Sequence, residues 1–281
     1  MLNGVALGTF DGMHNGHRAV IDAIKDYNRI AVTFKRPPKT YLGAKQQLLM
    51  TPEDKYQSLL DYGVNEVFMP EFTEIRDVSP LDFLEMIREK YKPKAISCGF
   101  NYRFGKNAEG NTEFIAEFCQ KNGIEFKCVP AVKYNGEAIS SSKIRAMITD
   151  GNVEEANTLI FGGFGFSAEV IHGDHRGRTI GFPTVNQIYP VCLVELKFGV
   201  YAVEIEIGSQ KFRAITNIGY RPTFKTPIVT AETYIPHFTG DLYGKRLRVN
   251  LLKFLREEHK FDSLDNLKTA IKCDVSSLLG K

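Results

Sequence analysis

The first residues that could do chemistry form a glycine-rich run near the N-terminus, Gly8-Thr9-Phe10-Asp11-Gly12-Met13-His14-Asn15-Gly16-His17. Its glycines allow a sharp turn and a close approach to a ligand, and a helix that begins near Gly16 would present free amides to an anion. His14 and His17, three residues apart, can direct two imidazole donors at one phosphate. The run predicts a phosphate-binding turn, although an ordinary strand-to-helix turn with two incidental histidines also fits. A metal site is the weaker interpretation, because no third ligand of matching type lies nearby.

A second group of phosphate-binding candidates is Ile139-Ser140-Ser141-Ser142-Lys143-Ile144-Arg145. Three hydroxyls precede a predicted helix, and the cations of Lys143 and Arg145 can pair with phosphate oxygens. A plain helix N-cap followed by solvated cations is the alternative.

The longest run of polar candidates is His172-Gly173-Asp174-His175-Arg176-Gly177-Arg178-Thr179-Ile180-Gly181-Phe182-Pro183-Thr184-Val185-Asn186. We interpret it as loop material between strands, in which three glycines and two arginines fold round a polyphosphate. The hydroxyl of Thr184 and the amide oxygen of Asn186 suit a magnesium ion. A polar surface loop is the alternative interpretation.

The elements that must position the first two runs alternate between short apolar stretches and amphipathic ones, the pattern of a parallel sheet covered by helices. The predicted strands are Val5 to Thr9, Ile30 to Thr33, Glu66 to Met69, Ala95 to Cys98 and Glu125 to Val129. Helices are predicted to begin after Thr51 and Ser79, since each is followed by proline and an early acid. Ligands bind beyond the carboxyl ends of such strands, which places the Gly8 run at the expected site.

The pattern of apolar and polar residues changes near Gly162-Gly163. Beyond these glycines, apolar residues mostly recur at every second position. The predicted strands are Phe198 to Ile207, Phe212 to Ile218, Thr230 to Ile235 and Arg246 to Phe254, with turns at Gly208-Ser209 and Gly240-Asp241. Together they predict a small antiparallel barrel, closed by a helix over Ser263 to Lys272. The fold class is therefore α/β with a second, barrel domain, and the boundary is expected at residues 156 and 157.

The composition argues against three classes of protein: nucleic-acid-binding, membrane-spanning and secreted proteins. A net charge of +3, from 36 basic and 33 acidic side chains, is too small to imply a nucleic-acid partner. No long uncharged apolar run or basic leader is present, so neither membrane spanning nor secretion is expected. The five cysteines are scattered without a CxxC pair, which indicates reduced thiols and a cytoplasmic location. Composition leaves the oligomeric state open.

The Gly8 run resembles the motif of the HxGH nucleotidylyltransferases, in particular the FMN adenylyltransferase module of bacterial FAD synthetases. Two more segments match that family in order: Cys98-Gly99-Phe100-Asn101-Tyr102-Arg103-Phe104-Gly105 resembles its flavin-side loop, and Ile139 to Arg145 resembles its ISSTxIR motif. The resemblance implies that His14 and His17 stabilise the phosphates of ATP. It assigns the ATP site to Gly8, Thr9, Phe10, Asp11, His14, Gly16, His17, Ser141, Ser142, Lys143 and Arg145. Asn101 and Phe104 are assigned to the flavin, although Phe104 could simply be a core aromatic.

The later run, HGDHRGRTIGFPTVN, resembles the GxVxHGxxRGRxLGFPTAN motif of riboflavin kinases, with Val185 in place of the usual alanine. NIGYRPTF and AETYIPHFTGDLYGKRLRVNLLKFLR continue the pattern, so the resemblance to bifunctional riboflavin kinase/FAD synthetases covers nearly the whole chain. It implies that Glu232 is the catalytic base and that Thr184 and Asn186 bind magnesium. The implied kinase ATP-binding residues are Gly173, Arg176, Gly177, Thr179, Gly181, Thr184 and Asn186.

These resemblances predict two reactions. Residues 1–156 are expected to join FMN to ATP, making FAD, and residues 157–281 to phosphorylate riboflavin, both with Mg²⁺ accompanying ATP. Two departures keep alternatives open: Gly162 to Ser167 differs from the family's GRPYxLxG stretch, and an acid before GDLYG is replaced around His237-Phe238-Thr239. The alternatives are an FAD synthetase with a weak or silent kinase domain, and a flavin-binding regulatory protein.

Overall fold

The structure is a computed structural model that describes residues 1–36, 47–173, 176–221 and 228–278. Residue contacts divide the chain into two compact units. One comprises Met1–Lys143 with Leu159–Phe161, and the other comprises Ile144–Thr158 with Gly162–Lys281. Among the helices in the described ranges, none is long and apolar enough to cross a membrane.

The first unit is built on five parallel strands in the order β3-β2-β1-β4-β5. Their bounds are β1 Asn3–Leu7, β2 Asn28–Val32, β3 Glu66–Phe68, β4 Ala95–Gly99 and β5 Glu125–Val129. The chain runs outward from β1 in both directions, so the loop after β1 lies at the point where the strand order reverses. Such a point is where open α/β sheets form their binding crevice. The predicted parallel sheet covered by helices is confirmed.

Helices cover this sheet, and two of them begin directly after the predicted capping residues Thr51 and Ser79. They are α1 Asn15–Asp22, α2 Pro52–Asp61, α3 Phe72–Ile75, α4 Pro80–Tyr91 and α5 Thr112–Asn122, with a short 3₁₀ turn at Lys106–Ala108. The hydroxyls of Thr51 and Ser79 each accept the backbone N–H three residues on, both at 3.1 Å. On one face of the sheet Val5, Leu7 and Ile96 pack with Ile87 and Ile115 in a fully buried core.

A two-stranded hairpin and two helices follow the sheet along the chain. The hairpin is β6 Lys133–Tyr134 with β7 Glu137–Ala138, and the helices are α6 Ser141–Thr149 and α7 Val153–Leu159. The division between the two units falls inside α6, after Lys143.

The second unit is a closed antiparallel barrel in the order β10-β11-β12-β9-β8-β13, with β13 pairing back onto β10. Its elements are β8 Gly165–Ile171, α8 Arg176–Thr179, β9 Thr184–Ile188, β10 Gly199–Ile207, β11 Gln210–Arg221, β12 Ile228–Tyr234, β13 Arg246–Arg256 and the terminal helix α9 Leu264–Leu278. The predicted barrel, the hairpin turn at Gly208-Ser209 and the terminal helix are confirmed. The hydroxyl of Ser263 caps that helix by accepting the backbone N–H of Asn266 at 3.2 Å.

The sequence prediction was wrong about two barrel strands. The segment from His172 to Asn186 was interpreted as loop material, whereas Thr184 to Asn186 belong to β9, and β8 was not identified. β9 has only five residues and directly follows Pro183, which hides its alternation. The barrel nevertheless requires both, because β9 joins β12 to β8 and β8 joins β9 to β13.

Candidate active sites

The two histidines of the first run are stacked at the start of α1, at the carboxyl end of the central strand. Their ring centroids lie 3.6 Å apart with an angle of 16° between the planes. His14 is the N-cap residue, and its Nδ1 accepts the backbone N–H of His17 at 3.3 Å. Because Nδ1 is the acceptor, the neutral ring of His14 carries its proton on Nε2.

The imidazole of His17 is held in its neutral form. Desolvation of the ring lowers its pKa well below the ordinary value, and the charges of His14 and Lys55 lower it further. The edge of the ring meets Phe10 at a centroid distance of 5.4 Å. Its Nδ1 is buried and has no hydrogen-bond partner among the described residues. A neutral imidazole carries one N–H group, which can donate to a phosphate oxygen.

Left-handed backbone shapes the loop that leads to these histidines. Phe10 and Met13 have φ values of 48° and 40°, and Gly12 has a φ of 89°. Only the glycine adopts such a conformation at low cost, so surrounding contacts must hold the other two. Neighbouring rings occupy the space at the outer glycines: a Cβ at Gly8 would lie 2.9 Å from the ring of Phe10, and one at Gly16 would lie 3.1 Å from the ring of His14. Phe10 is fully buried, so its ring contributes to the loop by packing.

The structure brings the second run to the first. The hydroxyl of Ser141 donates to the backbone carbonyl of Asp11 at 2.8 Å, across 130 residues of sequence. The carboxylate of Asp11 is buried and accepts the backbone N–H groups of Leu49 and Met50 at 2.9 and 3.3 Å. Asp11 therefore joins three segments through backbone and side chain, and its carboxylate is oriented by the chain before α2.

The other polar residues of the second run, Ser142, Lys143 and Arg145, differ from one another in exposure and in surroundings. Ser142 is exposed, and Lys143 forms an ion pair with Glu137 on β7, which lowers the pKa of that carboxyl group. Arg145 belongs to the second unit, where it is half-buried. Phosphate binding by Lys143 would require its ammonium group to leave Glu137.

The two residues predicted to bind flavin follow β4. Asn101 is exposed, whereas Phe104 is buried among Phe83, Tyr102 and Phe114, with ring centroids 5.5 to 6.1 Å away. The side chain of Phe104 thus packs in the core, the alternative that the sequence left open. Phe100, in the same loop, is half exposed.

In the barrel, Glu232 lies at the middle of a polar row that crosses three strands. It is directly opposite Asn186 of β9 on one side and Asn217 of β11 on the other. Residues opposite one another in antiparallel strands share a face, so these three side chains leave the same side of the sheet. Thr184 lies two residues before Asn186 on that face. The pairing therefore brings the predicted base and both predicted metal ligands together.

Thr184 and Asn186 line a cavity of about 350 Å³, which Gly177 and Tyr243 also line. Gly173 packs on the Asn186 amide so closely that a Cβ at this glycine would lie 2.4 Å from Nδ2. At the same end of the barrel the ring of His172 stacks on Tyr243 at 4.0 Å. Gly181 has a φ of 88° with open space around it, and the side chain of Arg176 lies outside the described part of the structure.

A larger cavity of about 820 Å³ is lined by Glu232 and Thr184, and also by Thr179. One wall is apolar and comes from Leu264, Leu267 and Ile271 of α9, at helical spacing. Sequence reasoning missed this wall, although that spacing could have indicated it. It also missed the pair in which the Asn217 amide donates to Glu258 at 2.8 Å, because 41 residues separate the partners.

An ion pair ties α9 to the barrel beside this cavity. The Arg256 guanidinium donates to both carboxylate oxygens of Asp274, at 2.9 to 3.2 Å, and Asp274 is buried. The guanidinium also lies 5.5 Å from the ring centre of Phe261. These contacts fix the orientation of the helix whose apolar side lines the larger cavity.

Removal of the Asp274 carboxylate should weaken the attachment of the terminal helix α9 to the barrel. Asp274→Asn leaves a partly buried guanidinium without its charged partner, and we expect about 1–3 kcal/mol of lost stability. Hydrogen exchange of the α9 amides should become faster, while the exchange of the barrel strands changes less. Lys272→Gln, at an exposed position of the same helix, is the matched control. Equal protection of α9 in the two variants would contradict the assigned role.

Comparison with known proteins matches a different protein family to each of the two units of the structure. A family described as FAD synthetase matches residues 3–143, and a family described as riboflavin kinase matches residues 163–279. Proteins named "bifunctional riboflavin kinase/FMN adenylyltransferase" from Listeria monocytogenes and Bacillus subtilis are 34% and 32% identical to this chain. Each alignment covers 96% of this chain and 89% of the relative.

A solved structure has the same overall architecture. It is described as a macrolide-efflux protein from Streptococcus pneumoniae, and it matches with a TM-score of 0.88 at 30% identity. The match covers 100% of this chain and 94% of that one.

Proposed function

Because the chain belongs to the family of bifunctional riboflavin kinase/FMN adenylyltransferases, we propose that residues 1–156 convert FMN and ATP into FAD and that residues 157–281 phosphorylate riboflavin. The chain is a bifunctional transferase. We assign each of its two reactions to one part of the chain and to particular residues. ATP, riboflavin and FMN are the substrates. We propose the cytoplasm as its location, because both reactions consume ATP.

In adenylylation, a phosphate oxygen of FMN attacks the α-phosphorus of ATP, and the bond to the β-phosphate oxygen breaks to release pyrophosphate. The step needs alignment and neutralisation of charge more than a covalent nucleophile. His17 supplies a neutral N–H donor to the triphosphate, His14 supplies a second imidazole donor, and the amides at the start of α1 add to them. Gly8, Thr9 and Asp11 shape the loop, while Ser141, Ser142 and Lys143 are assigned to the same nucleotide.

One observation carries this assignment: His14 and His17 stack at the start of a helix that His14 caps, where the strand order of the sheet reverses. Imidazole N–H donors, positive helix potential and glycine-rich backbone meet at such a position. The flavin of FMN is assigned to the loop after β4, where Asn101 is exposed. Because Phe104 is buried, its contribution is to hold this loop by packing.

In phosphorylation, Glu232 removes the proton of the terminal ribityl hydroxyl as its oxygen attacks the γ-phosphorus of ATP, and ADP leaves. Proton removal by a positioned carboxylate fits the location of Glu232 at the larger cavity, with Thr184 beside it. The cavity's apolar wall on α9 suits the flat ring system of riboflavin. Gly173, Arg176, Gly177, Thr179 and Gly181 are assigned to ATP.

The residues next to Glu232 fit a magnesium ion that accompanies ATP. Mg²⁺ prefers oxygen ligands and is usually held by few protein groups together with substrate phosphates. The Thr184 hydroxyl and the Asn186 amide oxygen are such ligands, and the close approach of Gly173 leaves the Asn186 side chain little freedom. These two residues would hold the ion, which neutralises triphosphate charge when bound.

The altered segments do not interrupt the barrel. Gly162 and Gly163 adopt φ values of 72° and 74°, after which Phe164 and Phe166 are buried as the chain enters β8. The Phe164 backbone N–H donates to Asn157 Oδ1 at 2.7 Å. His237 has a φ of 60° in the loop before β13, and Phe238 lines the smaller cavity. An active kinase domain is therefore preferred over a silent one.

A pair of incubations tests both activities. Purified protein is incubated with ATP, Mg²⁺ and riboflavin, or with FMN in place of riboflavin, and the flavins are separated by chromatography. We expect FMN and then FAD from riboflavin, and FAD directly from FMN. FAD from FMN alone would indicate a silent kinase domain. The absence of any new flavin would indicate a binding protein and contradict both assignments.

A further inference from the structure

A buried lysine lies beneath the histidine loop. Lys55, in the first turns of α2, is only 2% exposed, although lysine is among the side chains least often buried. Its ammonium group donates to three backbone carbonyls: that of Phe34, that of Thr9 at 3.3 Å and that of Lys35 at 3.4 Å. An ammonium group has three protons, so this cradle can use them all.

The charge of this group is retained near neutral pH. Burial lowers the pKa of Lys55 to about 8, and the field of Asp11 opposes that change. At pH 7 the ammonium form therefore still predominates. A buried cation must be compensated, and here the compensation comes from backbone dipoles and the neighbouring carboxylate.

The cradle connects the ends of two adjacent parallel strands. Thr9 follows β1 by two residues, and Phe34 follows β2 by two residues. The Thr9 carbonyl accepts a second hydrogen bond, from the Thr33 hydroxyl at 2.9 Å. Lys55 thereby holds together the two strand ends next to the point where the strand order reverses.

Immediately after Thr9 the chain enters the left-handed conformation at Phe10. Asp11 is held by backbone N–H groups from the segment before α2, the same helix that carries Lys55. The start of α2 thus fixes the loop at Thr9 through a cation and at Asp11 through two amides. A strained loop keeps its shape only when such contacts over-determine it.

We propose that Lys55 is a positioning residue for FMN adenylylation, whose buried ammonium group holds the Thr9–Asp11 backbone so that His14 and His17 are aimed at the phosphates of ATP. This inference rests on the function proposed above for the N-terminal part. Lys55 acts through the loop and does not itself touch the reacting atoms. Its charge also acts on His17, since it is one of the causes of that residue's lowered pKa.

The test replaces Lys55 with methionine, which keeps much of the volume but removes the cation. Lys55→Met should lower kcat for FAD formation from FMN about a hundredfold, with a smaller change in KM for ATP, because misaimed groups cost the transition state more than the ground state. Riboflavin phosphorylation by the same sample should stay within about twofold. In an NMR titration the pKa of His17 should rise, a change that a purely structural role would not require.

Lys25→Met, at an exposed lysine of the same unit, is the matched control. FAD formation by Lys55→Met equal to that control, or a loss confined to KM for ATP, would overturn the inference. If Lys55→Met does not fold, Lys55→Arg carries the same test, because it keeps the charge and displaces the head group. An unmodified protein that makes no FAD from FMN would contradict the proposed function itself, and the two failures are therefore distinguishable.

Discussion

Replacement of Glu232 by glutamine is expected to reduce FMN formation from riboflavin by about a thousandfold, within the usual range for loss of a general base. Glutamine preserves the shape of the side chain and one acceptor oxygen, but it cannot take up the proton of the ribityl hydroxyl. Conversion of FMN to FAD by the same variant should remain within about twofold of the unmodified protein. Separation of flavins by chromatography measures both rates in one preparation.

Binding distinguishes this role from a structural one. Glu232→Gln should still bind riboflavin, which can be followed through the flavin's own fluorescence, because the apolar wall on α9 is unchanged. Glu206→Gln is the matched control, since Glu206 is an exposed strand glutamate of the same barrel that lines neither described cavity. Loss of both activities in Glu232→Gln, or FMN formation at the control's rate, would reject Glu232 as the base.

Replacement of His17 by alanine is expected to give the second large effect, a loss of about a hundred- to a thousandfold in FAD formation. Riboflavin phosphorylation should continue, so that FMN accumulates when riboflavin is supplied. The physical reason is the removal of a partly buried, neutral imidazole from beside the predicted triphosphate position. Undiminished FAD formation would show that the histidine pair only caps the helix.

The protonation state of His17 predicts how the rate of FAD formation depends on pH. Since burial, His14 and Lys55 all lower the pKa of His17, the ring is neutral at pH 7 and becomes protonated only in more acidic solution. FAD formation should therefore show no loss attributable to His17 when the pH falls from about 7.5 to about 6.5, the ordinary histidine pKa. A decline centred on that value would contradict a neutral role for this ring.

His14 requires a gentler substitution, because it has two roles. Its Nδ1 caps α1 by accepting the His17 backbone N–H, and loss of a cap costs about 1 kcal/mol. His14→Asn keeps a capping side chain while it removes the ring. If the ring acts on phosphate, His14→Asn should lose FAD formation while the stability of the N-terminal unit changes little.

The sequence was most informative where chemistry depends on neighbours along the chain. The alternation of short apolar stretches with amphipathic ones, together with the capped starts of α2 and α4, was sufficient to predict the parallel sheet. The period-two strands were sufficient to predict the barrel that follows. These features are local: a cap needs only the next three residues, and a strand-to-helix turn needs only its glycines. The family resemblance then linked both halves to flavin chemistry.

Contacts between distant segments could not be predicted in this way. Nothing in the residues around Lys55 distinguishes it from a solvated helix lysine, because its three carbonyl partners lie at the ends of other elements. The same holds for Asn217 with Glu258 and for Arg256 with Asp274. Strand β9 was missed for a related reason, since its identity depends on partners in β8 and β12.

The sequence by itself determined the class of the two units and the positions of the motifs, and its family resemblance supplied the proposed assignment of each motif to a reaction. Only the tertiary structure decided how those residues act together: that Ser141 reaches Asp11, that Glu232 lies between Asn186 and Asn217, and that Phe104 is core. The physical reason is that propensity, capping and periodicity act over a few residues, whereas burial, strand register and buried charge are properties of the packed chain.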